Sequence, residues 1–139
     1  MRRGSTLVEQ LFVITLLGIL TAVTATAGMR LVDAIAVHAA SRDVADLFAL
    51  ARDNAISSGQ RTAVQFDAVR GRVIVHADID TLTQLDLAER SAVRLSTSRD
   101  SMAYASSGLG YGAANLRLIV SRGNTADTVT VSRLGRVRR

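Results

Sequence analysis

Between Glu9 and Arg30 the sequence runs for twenty residues without a charged side chain. As an α-helix that run is about 30 Å long, the thickness of a bilayer's hydrocarbon core. Arg2 and Arg3 stand before it. Cationic residues stay on the cytoplasmic side, so the amino end is expected inside and the remainder outside. One residue sits badly in this picture. Glu9 is an acid at the mouth of the apolar run.

Three readings account for the opening stretch. A secretory signal has a charged start, an apolar middle and a small-residue cleavage site, and Ala25-Thr26-Ala27 before Gly28 supplies one. An uncleaved anchor would use Thr6-Leu7-Val8-Glu9 as a capping box, Glu9 satisfying amides at the helix start. In the third, cleavage falls after Gly4 and leaves Ser5 as a new amino terminus.

The stretch resembles the amino terminus shared by type IV pilins and pseudopilins. That family has a short basic leader ending in glycine, a carboxylate at the fifth mature position and an uninterrupted apolar helix. Gly4 matches the glycine, Glu9 falls at the fifth position, and LFVITLLGILTAV matches the apolar run. Ser5 departs from the family, which usually has a phenylalanine there, its new amine methylated. The resemblance implies processing by a prepilin peptidase at Gly4 and Ser5, and an assembly role for Glu9. A charge in hydrocarbon costs roughly 3 kcal/mol on insertion scales and needs a partner. Cleavage creates one, since the amine of Ser5 lies about 6 Å along the helix axis from Glu9. In a stack of parallel helices, Glu9 of one subunit meets the amine of the next and fixes the axial register.

Past Gly28 the pattern changes without stopping. Val37, Ala40, Val44, Leu47, Phe48, Ala51 and Ala55 recur at three- and four-residue steps, with Arg42, Asp46, Asp53 and Ser57 on the other side. Ser58-Gly59 is a stop signal. The helix from Ser5 to Ser58 is expected to be about 80 Å long, with Gly28 as its soft point. Then the period falls to two. RTAVQFD (61–67) and RVIVHAD (72–78) read as a hairpin, SAVRLST (91–97) as a third strand. NLRLIVSR (115–122) and DTVTVSR (127–133) read as a second hairpin around Gly123-Asn124, and ASSGLGYGA (105–113) as an irregular loop. The expected fold class is α+β: a long N-terminal helix, transmembrane in its first half and amphipathic in its second, packed on a small antiparallel β domain. The expected segments are a leader over 1–4, a transmembrane helix over 5–29 and a periplasmic domain over 30–139, ending in a basic tail at 133–139.

LFALARDNAISSGQ, the strands after it and the closing VTVSRLGRVR are similar to the GspH/FimT family of minor pseudopilins. The likeness spans nearly the whole chain. It implies a subunit of a type II secretion pseudopilus or a type IV pilus in the bacterial inner membrane, with other pilins as partners.

Charge and composition narrow the chemistry. The chain has no cysteine and no proline, and all seventeen basic residues are arginine. A thiol nucleophile and a disulfide framework are therefore excluded. No serine has a local base and orienter, and nothing argues for an enzyme or a cofactor. His38 falls on the helix side away from the apolar stripe and reads as solvated; His76 reads as a strand residue. Asp78, Asp80 and Asp86 begin like a calcium loop, but Leu82 fails the third ligand position and Thr83 replaces the glycine. That stretch reads as a polar loop, and no metal is expected. Arginine accumulates at the end: Arg133, Arg136, Arg138 and Arg139, with no acid among the last seven residues. Gly135-Arg136-Val137-Arg138 fits the glycine–arginine–any–arginine motif that FimT-type members use on DNA. The resemblance implies double-stranded DNA, held through phosphates and without sequence specificity, on a short flexible end. A solvated, frayed basic end is the other reading. Arg117 and Arg122 are expected on the neighbouring hairpin.

Overall fold

The computed structural model describes residues 6–111 and 115–139. The chain divides into two compact units, Met1–Val32 and Asp33–Arg139. In the first, the described residues from Leu7 onward belong to helix α1 (Leu7–Ser58), which passes Gly28 without a break. None of them is buried up to Val32. An 18-residue window of α1 reaches a mean hydropathy of 2.1, apolar and long enough to cross a membrane. The threonines in this run keep their hydroxyls inside the helix: Thr15 donates to the Leu11 carbonyl at 2.8 Å and Thr21 to that of Leu17 at 2.7 Å. Thr24 and Thr26 do likewise with Leu20 and Val23. Such back-bonding leaves no hydroxyl seeking water in an apolar medium.

The second unit is built on the carboxyl half of α1. Val37, Ala40, Ser41, Val44, Phe48, Ala51 and Ala55 are its buried face. The expected stripe is there, with Ser41 added to it and Leu47 only half-buried. Most of that face is alanine, serine and valine, while Phe48 reaches Phe66 with ring centroids 5.8 Å apart. Gly59, at φ +68°, ends the helix in the left-handed conformation that a side chain resists.

Among the described residues nine strands follow in two antiparallel sheets. One holds β1 (Thr62–Asp67), β2 (Arg72–Ala77), β3 (Asp80–Asp86), β5 (Ser101–Tyr104) and β6 (Gly110–Tyr111), in the order β3-β2-β1-β5-β6. The other holds β4 (Arg94–Thr97), β7 (Leu116–Arg122), β8 (Thr125–Val131) and β9 (Val137–Arg138), in the order β4-β7-β8-β9. Both expected hairpins form, β1 with β2 and β7 with β8. Alternate residues of the central strands point inward, among them Val64, Val73 and Val75 from one sheet and Leu118, Val120 and Val129 from the other. They join the face of α1 in one core cluster.

Four expectations need correction. The stretch with Asp78, Asp80 and Asp86 is not a loop, because Asp80–Asp86 pairs along β2 as β3. Its alternation is hidden by a bulge between Val75 and His76 and by an exposed Leu82. The third expected strand starts only at Arg94, since Leu87–Ser91 forms a short helix, α2. Asp86 caps that helix by accepting from the Glu89 amide at 2.9 Å, and Arg72 Nε donates to its other oxygen at 2.7 Å. The glycine-rich stretch contributes β6, paired with β5; residues 112 and 113 of it lie outside the described residues. Finally, the basic end is not frayed. Residues 132–138 fold back on β8, with Thr130 opposite Arg138 and Val131 opposite Val137.

Gly135 makes that fold-back possible. Its φ is +75°, and a Cβ there would lie 2.8 Å from the Gly108 carbonyl oxygen and 2.9 Å from the Tyr104 ring. Tyr104 is fully buried; burial pushes its pKa up to about 12, against a smaller opposing pull from the Arg52 charge. Arg52 Nε in turn donates to the Gly108 carbonyl at 3.0 Å. Gly135→Ala is therefore expected to cost about 1–3 kcal/mol, read as a lower denaturant midpoint at unchanged slope.

A pH dependence follows from two carboxylates. The Glu89 amide, and then the Arg72 guanidinium, hold Asp86 below its ordinary 3.8. The Arg70 backbone amide does most to lower Asp67. A depressed acid stabilises the fold fully above its unfolded value, and that contribution is lost as pH falls through the folded value. Thermal unfolding followed from about pH 7 to about pH 2 should show stability falling below 3.8, with a shallower fall in Asp86→Asn.

Candidate functional site

The amino-terminal candidates divide at the edge of the described residues. Gly4 and Ser5 lie outside them. Glu9 lies in the first turn of α1, where its amide donates to Thr6 Oγ1 at 3.3 Å, one half of a capping box. Glu9 also lines a small exposed cleft with Gln10, Val13 and Ile14.

The carboxyl-terminal candidates form a site with more geometry. Gly135 is seated on Tyr104 and Gly108, and the Ser132–Arg136 turn is closed by the Ser132 amide donating to the Arg136 carbonyl at 2.9 Å. From there the chain is extended, so side chains alternate. Val137 faces inward and packs against the core, while Arg136 and Arg138 are exposed on the opposite side. The spacing of the motif now has a physical meaning. Glycine permits the turn, the middle residue anchors the strand, and both arginines point the same way.

Register adds a third arginine. Arg138 lies opposite Thr130, and Thr130 opposite Arg117, so the three share one row on the outer face of the sheet. Arg117, Arg136 and Arg138 line an open groove of about 580 Å³ with Asn115, Thr130 and Ser132, and no Asp or Glu is among the described residues that line it. None of the three arginines makes an ion pair among the described residues. Guanidinium forks without internal partners, beside hydroxyls and an amide, suit phosphate oxygens. Arg133 and Arg139 are exposed but do not line the groove. Arg122 is on the hairpin as expected, yet it is committed elsewhere. Its Nε pairs with Asp33 at 2.9 Å and its other arm donates to the Ser91 carbonyl at 2.9 Å.

The tail motif marked Arg136 and Arg138 in the sequence. Arg117 was visible only as a neighbour, because its place in the row depends on the register of three strands.

The remaining candidates are accounted for by local contacts. His38 is largely exposed, with its Nδ1 3.9 Å from the Asp127 carboxylate. His76 Nδ1 meets the Thr81 hydroxyl across the β2–β3 pair at 3.2 Å. Among the described residues no three His, Asp or Glu side chains gather as a metal would need.

Comparisons with known proteins bear on the whole domain. Residues 40–135 match the family described as type II transport protein GspH. Among solved structures, the fold is similar to the type IV minor pilin FimU of Pseudomonas aeruginosa, with a TM-score of 0.62 and 12% identity over 73% of this chain and 86% of that one. It is similar also to the minor pseudopilin EpsH from the Type 2 Secretion System of Vibrio cholerae, with a TM-score of 0.59 and 20% identity over 73% of this chain and 94% of that one. At these identities the structural likeness speaks for the fold. No curated protein matches the chain in sequence. The family match covers well over half of the sequence, and with the helix-on-sheets architecture it identifies the chain as a member of the GspH family, with a pilin-like fold.

Proposed function

We propose that this protein is a minor subunit of a type IV-family filament, drawn from the inner membrane into a fibre by its amino-terminal helix. The family match over residues 40–135, behind an apolar helix that opens with Glu9, carries this reading. In it a prepilin peptidase cuts after Gly4. The helix holds the chain in the inner membrane until assembly, and the domain from residue 30 onward stands in the periplasm. The new amine of Ser5 neutralises Glu9 of a neighbouring subunit, because an unpaired acid among packed helices is costly. The family description names type II transport, while similar folds come from both a secretion pseudopilus and a type IV pilus. The proposal covers either machine.

The second part of the proposal is duplex DNA binding by the groove of Arg117, Arg136 and Arg138. Three unpaired guanidinium groups converge there with no acid among the lining residues. Phosphates are the matching ligand, and phosphate contacts carry no sequence preference.

Mass spectrometry of the mature protein tests the first part. The expected amino terminus is Ser5; Gly28 would indicate a secretory leader, and intact Met1 a plain anchor. Glu9→Ala is expected to leave insertion intact and abolish recovery in sheared filaments; normal recovery would sink the assembly role. For the second part, the paired substitution Arg136→Ala with Arg138→Ala should weaken duplex binding by the detergent-solubilised full chain at least tenfold. With about four phosphate contacts, wild-type affinity should fall roughly hundredfold between 50 and 200 mM salt. A gel-shift titration that finds equal affinities removes the DNA claim and leaves the filament claim standing.

A further inference from the structure

The outer face of the β4-β7-β8-β9 sheet extends well beyond the tail motif. Cross-strand partners share a face, so the pairing reads that surface row by row. The row of Arg117, Thr130 and Arg138 comes first. Ser96, Ile119 and Thr128 form the next. The last is Arg94, Ser121 and Ala126. The intervening rows, such as Leu95, Val120 and Asp127, belong to the other face. Asp127 is accordingly turned toward His38 on α1. The three outer rows hold no carboxylate.

Arg94 is a counterpart to the tail arginines. It is exposed and makes no ion pair among the described residues. It lines a second open groove, of about 410 Å³, with Ser121, Arg122, Gly123 and Asn124. Four other arginines of the domain are committed to acids. Arg70, Arg72, Arg90 and Arg122 are each paired with an aspartate. Arg94, Arg117 and Arg138, which make no ion pair among the described residues, share the outer rows, with Arg136 at their end.

Their spacing is set by the sheet. Ser121 is four residues from Arg117 along β7, about 13 Å, and β4 is three strands from β9, about 14 Å. Arg94 and Arg138 thus sit about 20 Å apart on a rigid diagonal. A duplex crossing that distance carries roughly a dozen phosphates past the face.

We infer that Arg94, with Ser121 and Asn124, is a second phosphate contact, and that the whole outer face of this sheet forms a platform for one DNA duplex. The inference rests on the DNA-binding reading of the tail. An anionic bilayer is the weaker match. Half-buried Ile119 and exposed Leu134 are the large apolar side chains beside these arginines, too few to enter lipid.

The test uses the detergent-solubilised full chain and a labelled duplex of mixed sequence. Arg94→Ala should weaken binding about five- to tenfold at 0.1 M salt and reduce the log–log salt slope by about 0.9. Arg94→Lys should restore most of both, and Ser121→Asp should weaken binding with an unchanged melting temperature. Arg70→Ala removes the same charge from a paired arginine and should leave affinity unchanged. Equal losses in Arg94→Ala and Arg70→Ala would reduce the effect to net charge and overturn the inference. So would an Arg94→Ala effect on phosphatidylglycerol–phosphatidylcholine vesicles without one on DNA. If the tail variants lose affinity while Arg94→Ala does not, this inference fails and the tail reading survives. A wild-type chain that does not bind the duplex ends both.

Discussion

The domain depends on one narrow helix face sharing a core with two sheets. The buried positions of α1 from Val37 to Ala55 are mostly alanine, serine and valine, with Phe48 as the one large intruder. These small side chains share one core with the inward rows of both sheets, and Phe48 lies beside Phe66. Each fully buried valine, leucine or phenylalanine contributes roughly 1.5–3 kcal/mol relative to exposure. The inward rows are therefore fixed, and the outward rows are free to carry charge. Everything distinctive on the surface follows from that division.

The basic end shows the division at its smallest scale. A stretch as short as Gly135–Arg138 would ordinarily fray. Here Val137 extends the inner row of Leu116 and Val131, and Gly135 fits where a side chain would strike Tyr104 and Gly108. One inward residue and one glycine thus hold two arginines outward. The same loop of residues 105–110 is tied to α1 through Arg52, so the helix, the five-stranded sheet and the tail meet at Gly108. A ligand on Arg136 and Arg138 would meet a surface already ordered, which lowers the entropy lost on binding.

Two sets of arginines show the same division. Arg72 and Arg122 are recruited by Asp86 and Asp33 to close the domain where α2 and the β7–β8 turn return to it. Arg94, Arg117 and Arg138 lie on outward rows that contain no acid. A high overall charge does not distinguish these two groups. Their surroundings do.

The sequence by itself determined the helix, its apolar span, its buried stripe and the two hairpins, because each is written in a local period of 3.6 or 2 and closed by Gly59 or Gly123-Asn124. It also marked Glu9, Arg136 and Arg138, since an acid beside an apolar run and a glycine–arginine end are local signals. It misread β3, where a bulge and the exposed Leu82 break the alternation, and it read the tail as loose, because the partner that orders it, β8, is brought alongside only by the fold-back through Gly135. Tertiary structure alone decided which arginines share a face. That depends on register across four strands, a long-range pairing that no window of neighbouring residues contains.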